Sequence, residues 1–164
     1  IVAAVLGFIV TTAFWLAYFD FFSIRGHQIL VDSSGAQRAA FARDAYSYLH
    51  LPMVAGIVLF AVAMKQTLAH VADELDTVAA FALCGGCAVY LSSYVLLRIR
   101  LDRKLSRGRF VALLAFLAAF PACTAVPALS ALAIVAAVWI ALHAYELIWW
   151  REARAETRAL RMPA

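Results

Sequence analysis

The chain of 164 residues is too apolar to be a soluble domain, since 66% of its residues are hydrophobic and only 15% are charged. Soluble domains average about 25% charged residues, and so few charges could not cover a surface in water. The net charge of +4 comes from basic segments between apolar runs, so it requires no nucleic-acid partner. We expect an integral membrane protein whose main partner is the lipid bilayer.

Five apolar runs are near the length of about 20 residues that a helix needs to cross a bilayer. In chain order they are 1–19, 45–64, 77–97, 110–126 and 127–150. Residues 110–145 contain no Lys, Arg, Asp or Glu, and as one helix they would extend about 54 Å, well beyond a hydrocarbon thickness of about 30 Å. They must turn back at 121–127, which is bounded by prolines. The expected fold is one all-α bundle of five transmembrane helices over residues 1–164.

Basic residues are distributed unevenly among the segments that connect these spans. Segments 21–44, 98–109 and 151–164 hold 13 of the 14 Lys and Arg residues, whereas segment 65–76 holds one and the turn at 121–127 holds none. Since loops alternate sides in a bundle, the three basic segments share a side. The positive-inside bias makes that side cytoplasmic, with the N-terminus outside and the C-terminus inside. Anionic lipid headgroups are expected neighbours of the basic residues from Arg98 to Arg109.

Two local features of the spans bear on helix packing. Pro52 lies inside the second predicted span and cannot donate to the carbonyl of Tyr48, which predicts a kink. In the third span, Cys84 and Cys87 flank two glycines, and such a run of small residues lets another helix approach closely. Redox or zinc chemistry at these cysteines would need a helix N-terminus, further ligands or an aqueous cleft. The sequence shows none of these beside them, so helix packing is the favoured interpretation.

Ionisable and polar side chains gather at the basic ends of the predicted spans. The candidates are Asp20, Arg43, Tyr46, His50, Arg98, His143 and Glu146. Charged groups in a bilayer are costly, so they tend to pair and to face a protein interior or a wet cavity. We expect two ion pairs, Asp20–Arg43 and Arg98–Glu146, each beside a histidine. Such clusters have three possible roles: interhelical contacts that fix helix register, a proton or ion pathway, or a ligand or catalytic site.

Two motifs near the start of the chain resemble those of one known family. Residues 15–20 read W-x-x-Y-F-D and residues 43–57 read R-x-x-Y-S-Y-L-H-L-P-x-V-x-G-I. They resemble the second half of the bacterial low-temperature-requirement A (LtrA) proteins, which are multi-pass membrane proteins. The resemblance covers the first third of the chain, implies the bacterial cytoplasmic membrane, and implies further helices of the same protein upstream. The residues it picks out are Asp20, Arg43, Tyr46, Tyr48, His50 and Pro52.

Three classes of function stay open, and the transporter-like bundle with a polar cytoplasmic-side cavity is favoured. The alternatives are a structural or scaffolding membrane module and an intramembrane enzyme or cofactor-binding protein. No Walker A or G-x-G-x-x-G motif supports nucleotide chemistry. A haem or metal shared by His50 and His143 would have only Glu146 as an obvious further ligand, so we expect neither a cofactor nor a metal. Homo-oligomerisation is compatible with all three classes.

The charge distribution predicts which loops an impermeant thiol reagent reaches in intact cells. With single cysteines at positions 33, 73, 105 and 160 in a cysteine-free background, we expect labelling at position 73 alone. That position lies in the loop that is poor in Lys and Arg. Labelling at position 105 would contradict the predicted orientation.

Overall fold

The chain folds into α-helices, which a computed structural model describes over residues 1–19, 34–43, 47–102 and 105–159. Side chains in these ranges are described except at 37, 42, 101, 102 and 149–159. The helices are α1 (Val2–Tyr18), α2 (Gly35–Arg43), α3 (His50–Ala69), α4 (Thr77–Asp102), α5 (Arg107–Cys123) and α6 (Ala128–Ala159). Within these ranges the chain forms no β-strand, and the all-α prediction is confirmed.

Three segments of the described chain are long and apolar enough to cross a membrane, namely His50–Ala69, Thr77–Arg100 and Ala128–Ile148. Helices α1 and α5 have 17 residues each. At this length a helix extends about 25 Å, which is near the lower limit for a span. The chain is therefore a membrane protein with three clear candidate spans. The five-span bundle and its orientation stay predictions.

The second predicted span differs from the helix that the structure contains. Residues 45–64 were expected to be membranous, whereas α3 begins at His50 and ends at Ala69. Pro52 is therefore in the first turn of α3, where a backbone N–H has no partner within the helix. At this position the proline interrupts no hydrogen bond of α3. Residues 44–46 lie outside the described ranges, so the predicted kink stays a prediction.

Two connections meet at one end of the bundle. The chain reverses between α5 and α6 at residues 124–127, which lie inside the predicted turn at 121–127. The backbone N–H of Ala128 donates to the carbonyl oxygen of Asp73 at 2.8 Å, and that of Leu129 donates to the carbonyl oxygen of Val71 at 3.1 Å. These bonds join the turn to the loop between α3 and α4. Both loops were predicted to lie on the same side.

Each of the five longest helices contributes at least one aromatic ring to the core of the bundle. These rings include those of Phe14, Phe60, Tyr90, Phe116 and Trp139. The ring centroid of Phe14 lies 5.3 Å from that of Phe60, 4.5 Å from that of Tyr90 and 5.2 Å from that of Trp139, which are favourable aromatic separations. Lipid tails are as apolar as these side chains, so shape complementarity and not water exclusion holds the helices together.

Helices α3 and α4 cross at two glycines. A Cβ atom added at Gly86 would lie 2.8 Å from the carbonyl oxygen of Gly56, and one at Gly56 would lie 2.5 Å from that of Gly86. Gly86 belongs to the run of small residues that predicted a close approach. The neighbouring Gly85 differs, because its Cβ would meet only the Phe81 ring at 3.4 Å.

This difference predicts opposite effects for one substitution at adjacent positions. Gly86→Ala should lower the free energy of unfolding by about 1–3 kcal/mol, because the backbones of α3 and α4 must separate. Gly85→Ala should be neutral or stabilising, since alanine is favoured over glycine in a helix by about 0.5–1 kcal/mol. Thermal unfolding of both variants in one detergent, followed by circular dichroism, measures the difference. Equal midpoints would contradict the close crossing.

Candidate functional site

A buried ion pair joins α5 to α6. Arg109 donates from Nε to Glu146 Oε1 at 2.6 Å and from Nη2 to Oε2 at 3.3 Å. The side chains are 7% and 14% exposed, respectively. A bidentate pair of this kind combines charge with fixed geometry, which makes it strong where water is scarce. The pair therefore sets the relative position of the two helices.

His143 lies one helical turn before Glu146 and faces its carboxylate. The distance from His143 Nδ1 to Glu146 Oε2 is 3.7 Å, and His143 Nε2 lies 3.0 Å from the carbonyl oxygen of Ala13. Since a carbonyl oxygen only accepts hydrogen bonds, Nε2 is the donor in this contact. Nδ1 is therefore the ring nitrogen that can gain or lose a proton beside Glu146.

Two buried tyrosines on α4, Tyr94 and Tyr90, extend the set of polar contacts beyond Arg109. The guanidinium carbon of Arg109 lies 5.0 Å from the centroid of the Tyr94 ring, which is a cation–π contact. The Tyr94 hydroxyl is 3.1 Å from that of Tyr90, and Tyr90 donates to the carbonyl oxygen of Phe14 at 2.6 Å. Because Tyr90 has one proton to donate, Tyr94 is the donor between the hydroxyls.

These residues form one continuous set of contacts, which we call the polar chain. Its members are His143, Glu146, Arg109, Tyr94 and Tyr90. Both ends contact the backbone of α1, at the adjacent carbonyls of residues 13 and 14. The polar chain thus links α1, α4, α5 and α6 in the interior of the bundle.

Two openings in the protein surface reach the polar chain. A polar cavity of about 410 Å³ has Glu146 in its wall, together with Arg98, Ser106 and Arg107. A groove of about 330 Å³ between α1 and α3 has Tyr90 in its wall, and His50 also lines it. The polar chain therefore extends from the polar cavity to this groove.

The first predicted cluster is described only in part. Asp20 and Tyr46 lie outside the described residues, so the Asp20–Arg43 pair stays a prediction. The guanidinium carbon of Arg43 lies 6.0 Å from the centroid of the exposed Tyr48 ring. The ring centroids of His50 and Tyr18 are 5.9 Å apart, with the rings nearly perpendicular. Pro52 lies in the first turn of α3, two residues after His50.

In the second predicted cluster, the cation that bonds to Glu146 is Arg109. The sequence predicts Arg109 in a segment that faces lipid headgroups, and the structure corrects this, because Arg109 is only 6% exposed. Arg109 holds the Glu146 carboxylate that was predicted to pair with Arg98. Arg98 lines the same polar cavity as Glu146. In the sequence, Arg98 and Arg109 have the same charge and a similar expected depth in the membrane. Only the packing of α5 on α6 shows that Arg109 bonds to Glu146.

Sequence reasoning also missed Tyr90 and Trp139. The spacing of four between Tyr90 and Tyr94 in an otherwise apolar span is a signal that could have found the pair, since such residues share a helix face. Trp139 donates from Nε1 to Cys87 Sγ at 3.4 Å, and its ring stacks on His143 with centroids 5.7 Å apart. Nothing in the sequence indicates this partner for Cys87.

The cysteines are buried free thiols. Cys84, Cys87 and Cys123 form no disulfide, and the thiols of Cys84 and Cys123 interact. In the described part of the chain, no group of three or more His, Cys, Asp or Glu side chains is arranged to hold a metal ion.

The ion pair predicts a measurable rescue. Arg109→Leu leaves the Glu146 carboxylate buried without its cation and should cost about 3–5 kcal/mol of folding free energy. Arg109→Leu combined with Glu146→Leu should recover most of that loss, because no buried charge is left. Arg100→Leu, at an exposed position on α4, is the control and should change little. Chemical unfolding in detergent measures all four proteins, and equal losses in the single and double variants would contradict the assignment.

The comparisons agree with the motifs at the start of the chain. A family model described as bacterial low temperature requirement A protein (LtrA) matches residues 1–144. The matched range extends well beyond the first third that carried the resemblance, and it includes Arg109 and His143. No curated protein and no solved structure matches the chain. With most of its length covered by this model and with its apolar spanning helices, the chain belongs to the LtrA family and is an integral membrane protein.

Proposed function

We propose that the chain forms part of a transporter in the bacterial cytoplasmic membrane, in which a proton is carried by Glu146 and His143. One observation carries the proposal: a carboxylate in the wall of a polar cavity has an imidazole beside it, and both side chains are largely buried. Ionisable groups are expensive inside a membrane, and they commonly mark proton or ion pathways.

The geometry of the pair suits proton transfer. His143 Nε2 is engaged by the carbonyl oxygen of Ala13, so proton exchange is confined to Nδ1, which faces Glu146. When Glu146 is ionised, the guanidinium of Arg109 compensates its charge. When Glu146 accepts a proton, the guanidinium keeps its cation–π contact with Tyr94, so Arg109 retains a partner.

The proton step is confined to His143 and Glu146, because the tyrosine hydroxyls are linked to the ion pair only through the cation–π contact of Arg109 with Tyr94. Glu146 lines the polar cavity, so that cavity is the entrance of the pathway. With the N-terminus outside and the C-terminus inside, as the positive-inside bias predicts, the polar cavity would open to the cytoplasm.

A structural module is the second candidate, and one observation favours it. His143 and Tyr90 both bind the backbone of α1, and Arg109 ties α5 to α6, so the same contacts would hold a rigid bundle. The two functions differ in what substitutions do. A module loses folded protein, whereas a transporter can lose activity and stay folded.

Proton flux into vesicles tests the proposal. The full-length protein is reconstituted into liposomes that contain a pH-sensitive dye, and a potassium diffusion potential drives proton entry. The wild-type protein should acidify the lumen, and Glu146→Gln and His143→Gln should reduce the rate to that of protein-free vesicles. Elution volume and helical circular dichroism are measured on the same samples to establish folding.

The chain contains a matched control for these variants. His70 and Asp73 have the same i, i+3 spacing, with Nδ1 3.3 Å from Oδ2, but both side chains are 72% exposed. His70→Gln and Asp73→Asn should keep full flux. Unchanged flux in folded Glu146→Gln and His143→Gln would refute the proton pathway. Loss of folded protein in both, with no variant folded yet inactive, would favour the structural module.

A further inference from the structure

An apolar groove adjoins the polar cavity between α5 and α6. The apolar groove has a volume of about 380 Å³, and Val111, Ala115, Val138 and Ala141 form part of its walls. It shares Arg107, Gly108 and Tyr145 with the polar cavity. The two therefore adjoin each other and form a depression with an apolar part and a polar part.

The shape of this depression depends on small residues and on one aromatic ring. A Cβ atom added at Gly108 would lie 2.8 Å from Cε1 of Tyr145, so the ring lies directly against the backbone of α5. The apolar groove continues from Gly108 to Ala115, which is about 10 Å along a helix. One leaflet of a hydrocarbon core about 30 Å thick is about 15 Å deep, so the apolar groove extends over about two thirds of one leaflet.

The apolar groove is open to the side of the bundle. Val111 is 63% exposed and Tyr145 is 48% exposed, and Ala141 is also exposed. These residues belong to helix stretches that are predicted to lie within the bilayer. In a membrane, such a surface contacts either lipid or another helix.

Two arginines line the polar cavity. Arg98 and Arg107 lie in its wall together with Glu146, whose carboxylate is bonded to Arg109. The described wall therefore contains two guanidinium groups beside a carboxylate that already has a cation. Guanidinium groups match phosphate oxygens in charge and in geometry.

We infer that the apolar groove and the polar cavity together bind one anionic phospholipid. An acyl chain lies in the apolar groove and the phosphate lies beside Arg98 and Arg107. A free inorganic anion would use the polar cavity and leave the groove without a role. A zwitterionic lipid would bring its own cation towards the arginines. This site does not depend on proton transport, because its charges and its groove are present in either function.

Native mass spectrometry of the full-length protein in detergent tests the charge requirement. Phosphatidylglycerol and phosphatidylcholine with identical acyl chains are added separately. We expect phosphatidylglycerol to be retained one to one and about fivefold more than phosphatidylcholine, given what a basic residue contributes beside an anionic lipid. Arg107→Gln should remove this preference, whereas Arg100→Gln should keep it, since Arg100 is exposed on α4 outside the cavity.

A second pair of variants tests the apolar groove. Ala141→Leu fills the groove and should lower phosphatidylglycerol retention, whereas Ala133→Leu, at an exposed position on the same helix outside the groove, should not. Both positions are exposed, so neither substitution disturbs the core. Equal retention of the two lipids, no effect of Ala141→Leu, or displacement of the lipid by inorganic phosphate would each overturn the inference, the last in favour of a free-anion site.

Discussion

The structure depends above all on the cost of a charge in a medium of low polarity. A carboxylate on α6 within the bundle cannot be left alone, and Arg109 satisfies it with two hydrogen bonds from the first turn of α5. Breaking such a pair leaves an uncompensated buried charge, so the pair constrains more than its own two residues. Helices α5 and α6 must keep their relative position for the ion pair to form, and the neighbouring side chains must be compatible with its charges.

The contacts around the ion pair follow from that constraint. The ring of Tyr94 packs against the guanidinium of Arg109, and the Tyr94 hydroxyl is hydrogen-bonded to that of Tyr90. His143 faces the carboxylate of Glu146. Through Tyr90 and His143 the polar chain reaches the backbone of α1, which otherwise packs mainly on α6. Polar contacts therefore specify where α1 lies, while the aromatic rings of the core and the Gly56–Gly86 crossing fill the space between helices.

In the proposed function, residues that hold the helices together would also carry the proton, because His143 and Glu146 face each other inside the bundle. The openings on the two sides of the polar chain differ in character. The one at Glu146 is rich in arginine, and the one at His50 is lined mainly by apolar and aromatic side chains. This asymmetry distinguishes the bundle from a uniformly packed scaffold.

The sequence by itself determined the solvent, the helical class and the family. Apolar runs of nearly fixed length, basic connecting segments and the motifs from Trp15 to Ile57 are local properties, and they suffice for these conclusions. The i, i+3 placement of His143 and Glu146 is local too. Only the tertiary structure decided that Arg109 holds Glu146, that Tyr90 joins the polar chain, and that Pro52 lies in the first turn of a helix. These outcomes depend on how helices rotate and slide against one another, which hydropathy and charge counts do not encode.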